Sequence, residues 1–122
     1  MTEQLVSDAD HLALTRLVVE LFVPEGVLNT GGTPLVGHDA IREWGDARTA
    51  STLRTRHICS GMRFLTDGDD RAIGSTLLTV FMHDGDGRGS TVPAVVGEDR
   101  DEFARTATGW RFVSRTLETL YG

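Results

Sequence analysis

His57 combines, more than any other residue in this sequence, a reactive side chain with room to use it. It lies in the run Leu53-Arg-Thr-Arg-His-Ile-Cys-Ser-Gly61, where Thr55, Cys59 and Gly61 are the alternate neighbours. On a strand these small residues share the histidine's face and leave space for a ligand beside the ring. An imidazole titrates near neutrality, so it can take a proton and return it, as elimination, isomerisation and aldol closure require. The competing reading of a strand histidine is a hydrogen-bonded core residue. Asp99 and Asp101 share a strand face in Gly97-Glu-Asp-Arg-Asp-Glu-Phe103. A carboxylate facing His57 would orient the ring and raise its pKa. The two aspartates are equally suited to pairing with Arg111 or Arg115 on a neighbouring strand. Arg100 lies between them but points away on a regular strand, which counts against a site where paired carboxylates and an arginine activate water. Asp10 precedes Leu14 by one helical turn and is placed at a pocket mouth, although the helix dipole alone favours a carboxylate there.

Other chemistry is less well supported. Cys59 is the single cysteine. On one strand its thiol and the His57 ring point in parallel, so it reads as a small buried hydrophobe lining the site and not as a nucleophile. Asp67-Gly-Asp-Asp70 and Asp84-Gly-Asp86 resemble fragments of a calcium loop but lack the full spacing and its terminal glutamate, so they are turns. No His, Cys and Glu spacing resembles a metal site, and no metal or organic cofactor is expected. All 12 basic residues are arginine, which leaves no lysine to form a Schiff base with a carbonyl substrate.

The elements that must position these groups follow from periodicity. Ser7 is an N-cap, and Leu14, Leu17, Val18, Leu21 and Phe22 make an apolar stripe on a helix from Asp8 to Phe22. Pro24 and Gly26 end that helix, and Val27-Leu28 is a short strand. A second helix follows Gly37, with Ala40, Ile41 and Trp44 on its buried side. His11 and His38, near helix starts, are surface residues. From Leu53 onward the pattern is β: strands over Thr55–Leu65, Ala72–His83, Val92–Thr106 and Trp110–Leu120, separated by turns rich in Gly and Asp. In the third of these, the apolar face of Val92, Ala94 and Val96 continues by parity into Glu98, Arg100 and Glu102, while the other parity gives Val95, Asp99, Asp101 and Phe103, so a bulge that shifts the phase is expected at Gly97. Helices first and an antiparallel meander afterwards define an α+β chain.

Length and composition set the outer limits. The 122 residues make one domain, taken to span the whole chain, with 39% apolar content to fill one core. The net charge of −6 argues against nucleic acid as a partner. Neither a signal peptide nor a membrane span is readable, and one cysteine calls for no oxidising compartment, so a cytoplasmic location is expected.

Three segments together resemble a known family. Pro34-Leu-Val-Gly-His-Asp-Ala-Ile-Arg-Glu-Trp44 is similar to the loop and helix of SnoaL-like (nuclear transport factor 2-like) proteins. Leu53-Arg-Thr-Arg-His57 resembles the start of their first long strand, and Asp101-Glu-Phe-Ala-Arg-Thr-Ala-Thr-Gly-Trp-Arg-Phe112 their last hairpin. The superfamily holds scytalone dehydratase, limonene epoxide hydrolase, ketosteroid isomerase and polyketide cyclases, so the resemblance implies a fold before a reaction. It implies a cone: a curved antiparallel sheet of four long strands plus a short one, covered by two or three N-terminal helices. In the scytalone-dehydratase-like branch a pocket histidine matches His57, a second lies close to His83, and a polar residue on the third strand falls near Asp99. Relatives usually begin with two helices whose first supplies a tyrosine or aspartate; here one helix fits before Pro24, and it has no tyrosine.

On this resemblance the chain is expected to act on a small cyclic or polyketide-like molecule by cofactor-independent proton transfer. His57, Asp99 and Asp10 would be catalytic, with Trp44, Cys59, Phe81, His83 and Asp101 against the substrate. A non-catalytic ligand-binding or dimerisation module and an epoxide hydrolase are the alternatives. The resemblance also implies a homodimer joined through the outer face of the sheet.

Overall fold

The computed structural model describes residues 17–122. Residues 17–20 are helical, and the chain turns at Leu21 into strand β1, Phe22–Asn29. The two-residue β2 (Leu35–Val36) and helix α1 (His38–Ala50) follow. Four long strands complete the order: β3 (Leu53–Asp67), β4 (Arg71–Asp84), β5 (Val95–Thr106) and β6 (Gly109–Tyr121). They form one six-stranded sheet in the order β2-β1-β6-β5-β4-β3. Every neighbouring pair is antiparallel except β1 with β6, so the curved, unclosed sheet is mixed and not purely antiparallel.

The expected helix through Phe22 ends early. Phe22 and Val23 are strand residues, and Pro24 and Gly26 lie inside β1 where its register against β6 shifts between Phe22 and Val27. Proline is tolerated at such an irregularity because the ladder there is already broken. Gly26 is required by close approach: a Cβ would stand 3.0 Å from the Cβ of Phe22. Of the expected stripe, Leu17, Val18 and Leu21 are exposed and Phe22 is buried, while Val19, which is not part of it, is the buried residue of the helical turn. Leu14, Asp10 and Ser7 lie outside the described residues.

Val19, Phe22, Leu28 and Ile41 form the apolar core, with Leu35 and Phe112 packed against it. This core clamps α1 to β1. His38 strengthens the clamp, since its Nε2 donates to the Phe22 carbonyl at 2.7 Å, and it is part-buried rather than a surface residue. Gly45, not Trp44, is the second buried position of α1, and Trp44 is 38% exposed.

The third long strand begins at Val95, later than expected, because Pro93 has no N–H for a ladder. Its pairing with β4 is continuous, so β5 carries no bulge. The irregularity expected at Gly97 falls on β6 instead: Val96 faces Tyr121 and Gly97 faces Thr119, leaving Leu120 as the extra residue. Among the described residues no helix is long and apolar enough to cross a membrane.

Candidate functional site

Laterally paired residues of a sheet share a face, so the register assigns each side chain to a side. One rung runs Leu28, Arg115, Asp101, Gly74, Phe64 across β1, β6, β5, β4 and β3. Leu28 packs in the core with Ile41 of α1, so this is the inner, helix-covered face. Leu117, Asp99 and Thr76 form the next rung. Gly97, Leu78 and Cys59 follow, then Val95, Val80 and His57. His57, Cys59, Asp99 and Asp101 therefore share the inner face.

A bulge in β3 makes this face continuous. Ser60 faces Leu77 but Arg63 faces Ser75, so one extra residue is inserted, with Gly61 at φ 59°. That left-handed backbone is cheap only for glycine. The shift turns Phe64 inward, where its ring lies 6.0 Å from Phe103, itself 4.8 Å from Phe112. Gly74 lies beneath this row, and a Cβ there would meet Phe64 at 3.0 Å and Phe103 at 3.1 Å.

The centre of the inner face is polar. Asp99 and Asp101 are 6% and 4% exposed, and Thr76 is buried beside them. Buried carboxylates demand partners, and β6 provides one. Arg115 donates through Nε to Asp101 Oδ1 at 2.8 Å and through Nη2 to Oδ2 at 2.9 Å. This fork leaves its Nη1 directed at Asp99, 3.7 Å from Oδ2. The guanidinium also lies over the Phe112 ring, 4.7 Å from its centroid. Arg115 is thus fixed by one aspartate and shared loosely with the other.

The electrostatics separate the two aspartates' roles. Burial pushes the Asp99 carboxyl above the usual range; Arg115 opposes this, Asp101 adds to it and His57 opposes it. His57 is held below its ordinary value, first by loss of hydration, then by the Arg48 cation, with Asp99 acting against both. Its ring is reachable from solvent because β3 is the edge strand, yet enough of it is enclosed for desolvation to lead. Burial alone would lower the Arg115 pKa, but the bond to Asp101, both aspartate charges and Cys59 raise it. His57 and Asp99 feel each other's charge without a hydrogen bond between them. Asp99 does not orient the ring by direct contact.

Arg48 was not singled out from the sequence. It lies in the last turn of α1 and reaches Thr55 Oγ1 at 3.4 Å, the inner-face neighbour of His57. The signal was the short link from Ala50 to Leu53, which leaves the helix end no choice but to stand beside the start of β3.

Other sequence candidates fall elsewhere. Phe81 faces Arg56 and His83 faces Arg54, both on the outer face, so neither joins His57. A strand's period of two puts residues of opposite parity on opposite sides. Arg100 also points outward, between Glu98 at 3.3 Å and Glu118 at 2.8 Å. Asp10 lies outside the described residues. A concavity of about 620 Å³ is on the outer face as well, along Arg63, Leu65, Ile73 and Arg100. Its breadth reflects the bend of the sheet, and the groups with shifted pKa values stand on the other side. Among the described residues no group of three or more His, Cys, Asp or Glu is placed to hold a metal ion.

A curved, unclosed sheet with α1 packed on β1 and β2 and polar groups buried on its inner face gives an α+β fold of the cone type. The sequence matches the SnoaL-like domain family over residues 7–116, and the chain belongs to that family. Solved structures agree. A candidate aromatic ring hydroxylase from Novosphingobium aromaticivorans is 26% identical with a TM-score of 0.77, covering 93% of this chain and 80% of that one. An NTF2-like protein with a cystatin-like fold from the same organism is 26% identical, with a TM-score of 0.74 and coverage of 94% and 73%. A candidate scytalone dehydratase, also from that organism, shares the fold at 18% identity, with a TM-score of 0.74 and coverage of 93% and 77%. No curated protein matches the sequence.

Proposed function

We propose that this SnoaL-like protein is a small-molecule enzyme that moves a proton on a cyclic or polyketide-like substrate without a cofactor. The observation that carries the reading is that His57 and Asp99 share the inner face with pKa values pushed toward each other. Depression keeps the imidazole neutral and basic at neutral pH, and elevation favours a carboxyl that can donate. With no bond joining them, a substrate can sit between: His57 removes a proton next to a carbonyl while Asp99 protonates the departing or enolic oxygen. Dehydration, cyclisation and isomerisation all fit this pair. Cys59 and Thr76 form small-residue ground around it, and Phe64, Phe103 and Phe112 offer flat apolar surface to a ring. His57→Ala is the test: a folded variant with undiminished turnover on the enzyme's substrate removes the assignment.

A second reading has its own support. Arg115 supplies from β6 the guanidinium that Arg100 cannot, between Asp99 and Asp101. An aspartate–arginine–aspartate cluster can activate water and protonate an epoxide oxygen. Solvent oxygen-18 in a diol product, with turnover retained in His57→Ala and lost in Arg115→Lys, favours this reading over the first.

We further propose a cytoplasmic homodimer. The outer face exposes Ile58, Leu65, Ile73 and Leu77, apolar surface that a second copy would cover. Light scattering that gives a monomer at micromolar concentration contradicts this.

A further inference from the structure

The outer face carries a second concavity whose chemistry differs from everything around it. It is a cleft of about 230 Å³ at the end of the β3–β4 pair, closed by the chain that follows β4. Arg54 and Arg56 reach it from alternate positions of β3, and their cross-strand partners His83 and Phe81 reach it from β4. Ser90 adds a hydroxyl from the loop. Among the described residues lining it none is acidic, in a chain with 18 acidic and 12 basic residues.

The loop is held in place by two of the same side chains. Arg54 Nη2 donates to the Gly87 carbonyl at 2.8 Å. His83 Nε2 lies 2.9 Å from the Asp86 carbonyl, which can only accept, so Nε2 carries the proton. Gly85 and Gly87 turn the chain at φ 98° and 83°. Gly89 then passes so close to His83 that a Cβ would stand 2.9 Å from the histidine's own Cβ. The nearby Asp84 carboxylate is occupied, accepting from Thr52 Oγ1 at 2.7 Å. Arg56 spends one N–H on the Thr55 carbonyl at 2.8 Å, and a guanidinium has five.

We propose that this cleft binds a tetrahedral oxyanion, a phosphate group, on the face of the sheet opposite His57. Two guanidinium forks and a serine hydroxyl are donors suited to phosphate, and guanidinium binds it bidentately where ammonium acts as a point charge. The glycines allow close approach of backbone, and the Phe81 ring offers an apolar wall to whatever carries the phosphate. The site stands independently of the proposed reaction, since the side chains assigned to it, Arg54, Arg56, Phe81 and His83, have the strand parity opposite to His57, although Thr55 and Met82 between them also border the cleft.

The test is titration of the full chain with inorganic phosphate, followed by amide NMR and calorimetry. The expected result is saturable one-to-one binding with a Kd of about 1 mM or tighter, and shift changes confined to residues 54–56, 81–83 and 87–90. Arg56→Ala weakens binding by roughly tenfold, while Arg63→Ala, an arginine elsewhere on the same face, leaves it unchanged. Arg56 holds no loop contact, so its removal leaves the cleft standing; Arg56→Lys restores less than half of the lost affinity if the fork matters. Shifts spread over all arginines, equal losses in Arg56→Ala and Arg63→Ala, or no saturation overturn the assignment, whether or not any variant folds, because the wild-type map alone decides it.

Discussion

Strands β3 and β5 each bring one titratable group with a shifted pKa to the inner face, His57 and Asp99, and they hold it in opposite ways. β3 is the outermost strand, exposed from Arg56 to Asp67, and keeps the His57 ring within reach of solvent. β5 lies between β4 and β6 and buries Gly97, Asp99 and Asp101. The edge position leaves an imidazole open to solvent. The central position gives a carboxyl whose pKa is raised because its charged form loses water. One curved sheet therefore makes two protonation environments from residues of modest chemistry.

The contrast is broken most severely at the groups themselves. His57→Ala and Asp99→Asn should each lower kcat by about 10²- to 10⁴-fold, the usual range for a lost general base or acid. His83→Ala, on the outer face, should leave kcat alone; a drop equal to that of His57→Ala would mean that the site is on the wrong side. Next in size is Asp101→Ala, which leaves the Arg115 guanidinium without its fork. Urea unfolding should show a loss of about 3 kcal/mol, the low end for breaking a buried pair because Arg115 keeps some exposure. Asp101→Asn should lose less.

A subtler difference lies in pH and stability. The folded pKa of Asp99 is raised above its unfolded value of about 3.9, so the stability it contributes is full below that pH. It is lost as pH rises through the folded pKa. Asp99→Asn should therefore match wild type near pH 3.5 and exceed it at pH 7. His57 has the opposite sign: its folded pKa is depressed, so its contribution is present above about 6.5 and is lost as pH falls through the folded value. The smallest effect is expected for Arg48→Gln. Arg48 lowers the His57 pKa, so its removal should move the acid limb of the pH–rate profile slightly upward.

Much of this contrast was legible in the sequence. The parity of Thr55, His57 and Cys59, and that of Asp99, Asp101 and Phe103, is a strand property that survives folding unchanged. The family followed from the Pro34–Trp44 loop and helix, the start of β3 and the last hairpin. What failed depended on register between strands, which local pattern does not fix. His83 and Phe81 have the wrong parity once β3 pairs with β4 as Arg54 with His83. The phase shift sought at Gly97 is absorbed by Leu120 on another strand. The helix expected through Phe22 yielded because Phe22 has a ring partner, Phe112 at 5.1 Å, that periodicity cannot see. Arg115 was recognised as a possible partner of the aspartates, but its position between both of them needed the β5–β6 pairing.

The coupling of His57 to Asp99 is testable without knowing the substrate, by following the His57 ring protons through a pH titration in wild type and in Asp99→Asn. Asp99 raises the His57 pKa against burial and Arg48, so the account predicts a midpoint below the ordinary value in wild type and lower still in the variant. An ordinary midpoint that does not move when Asp99 is neutralised would contradict it.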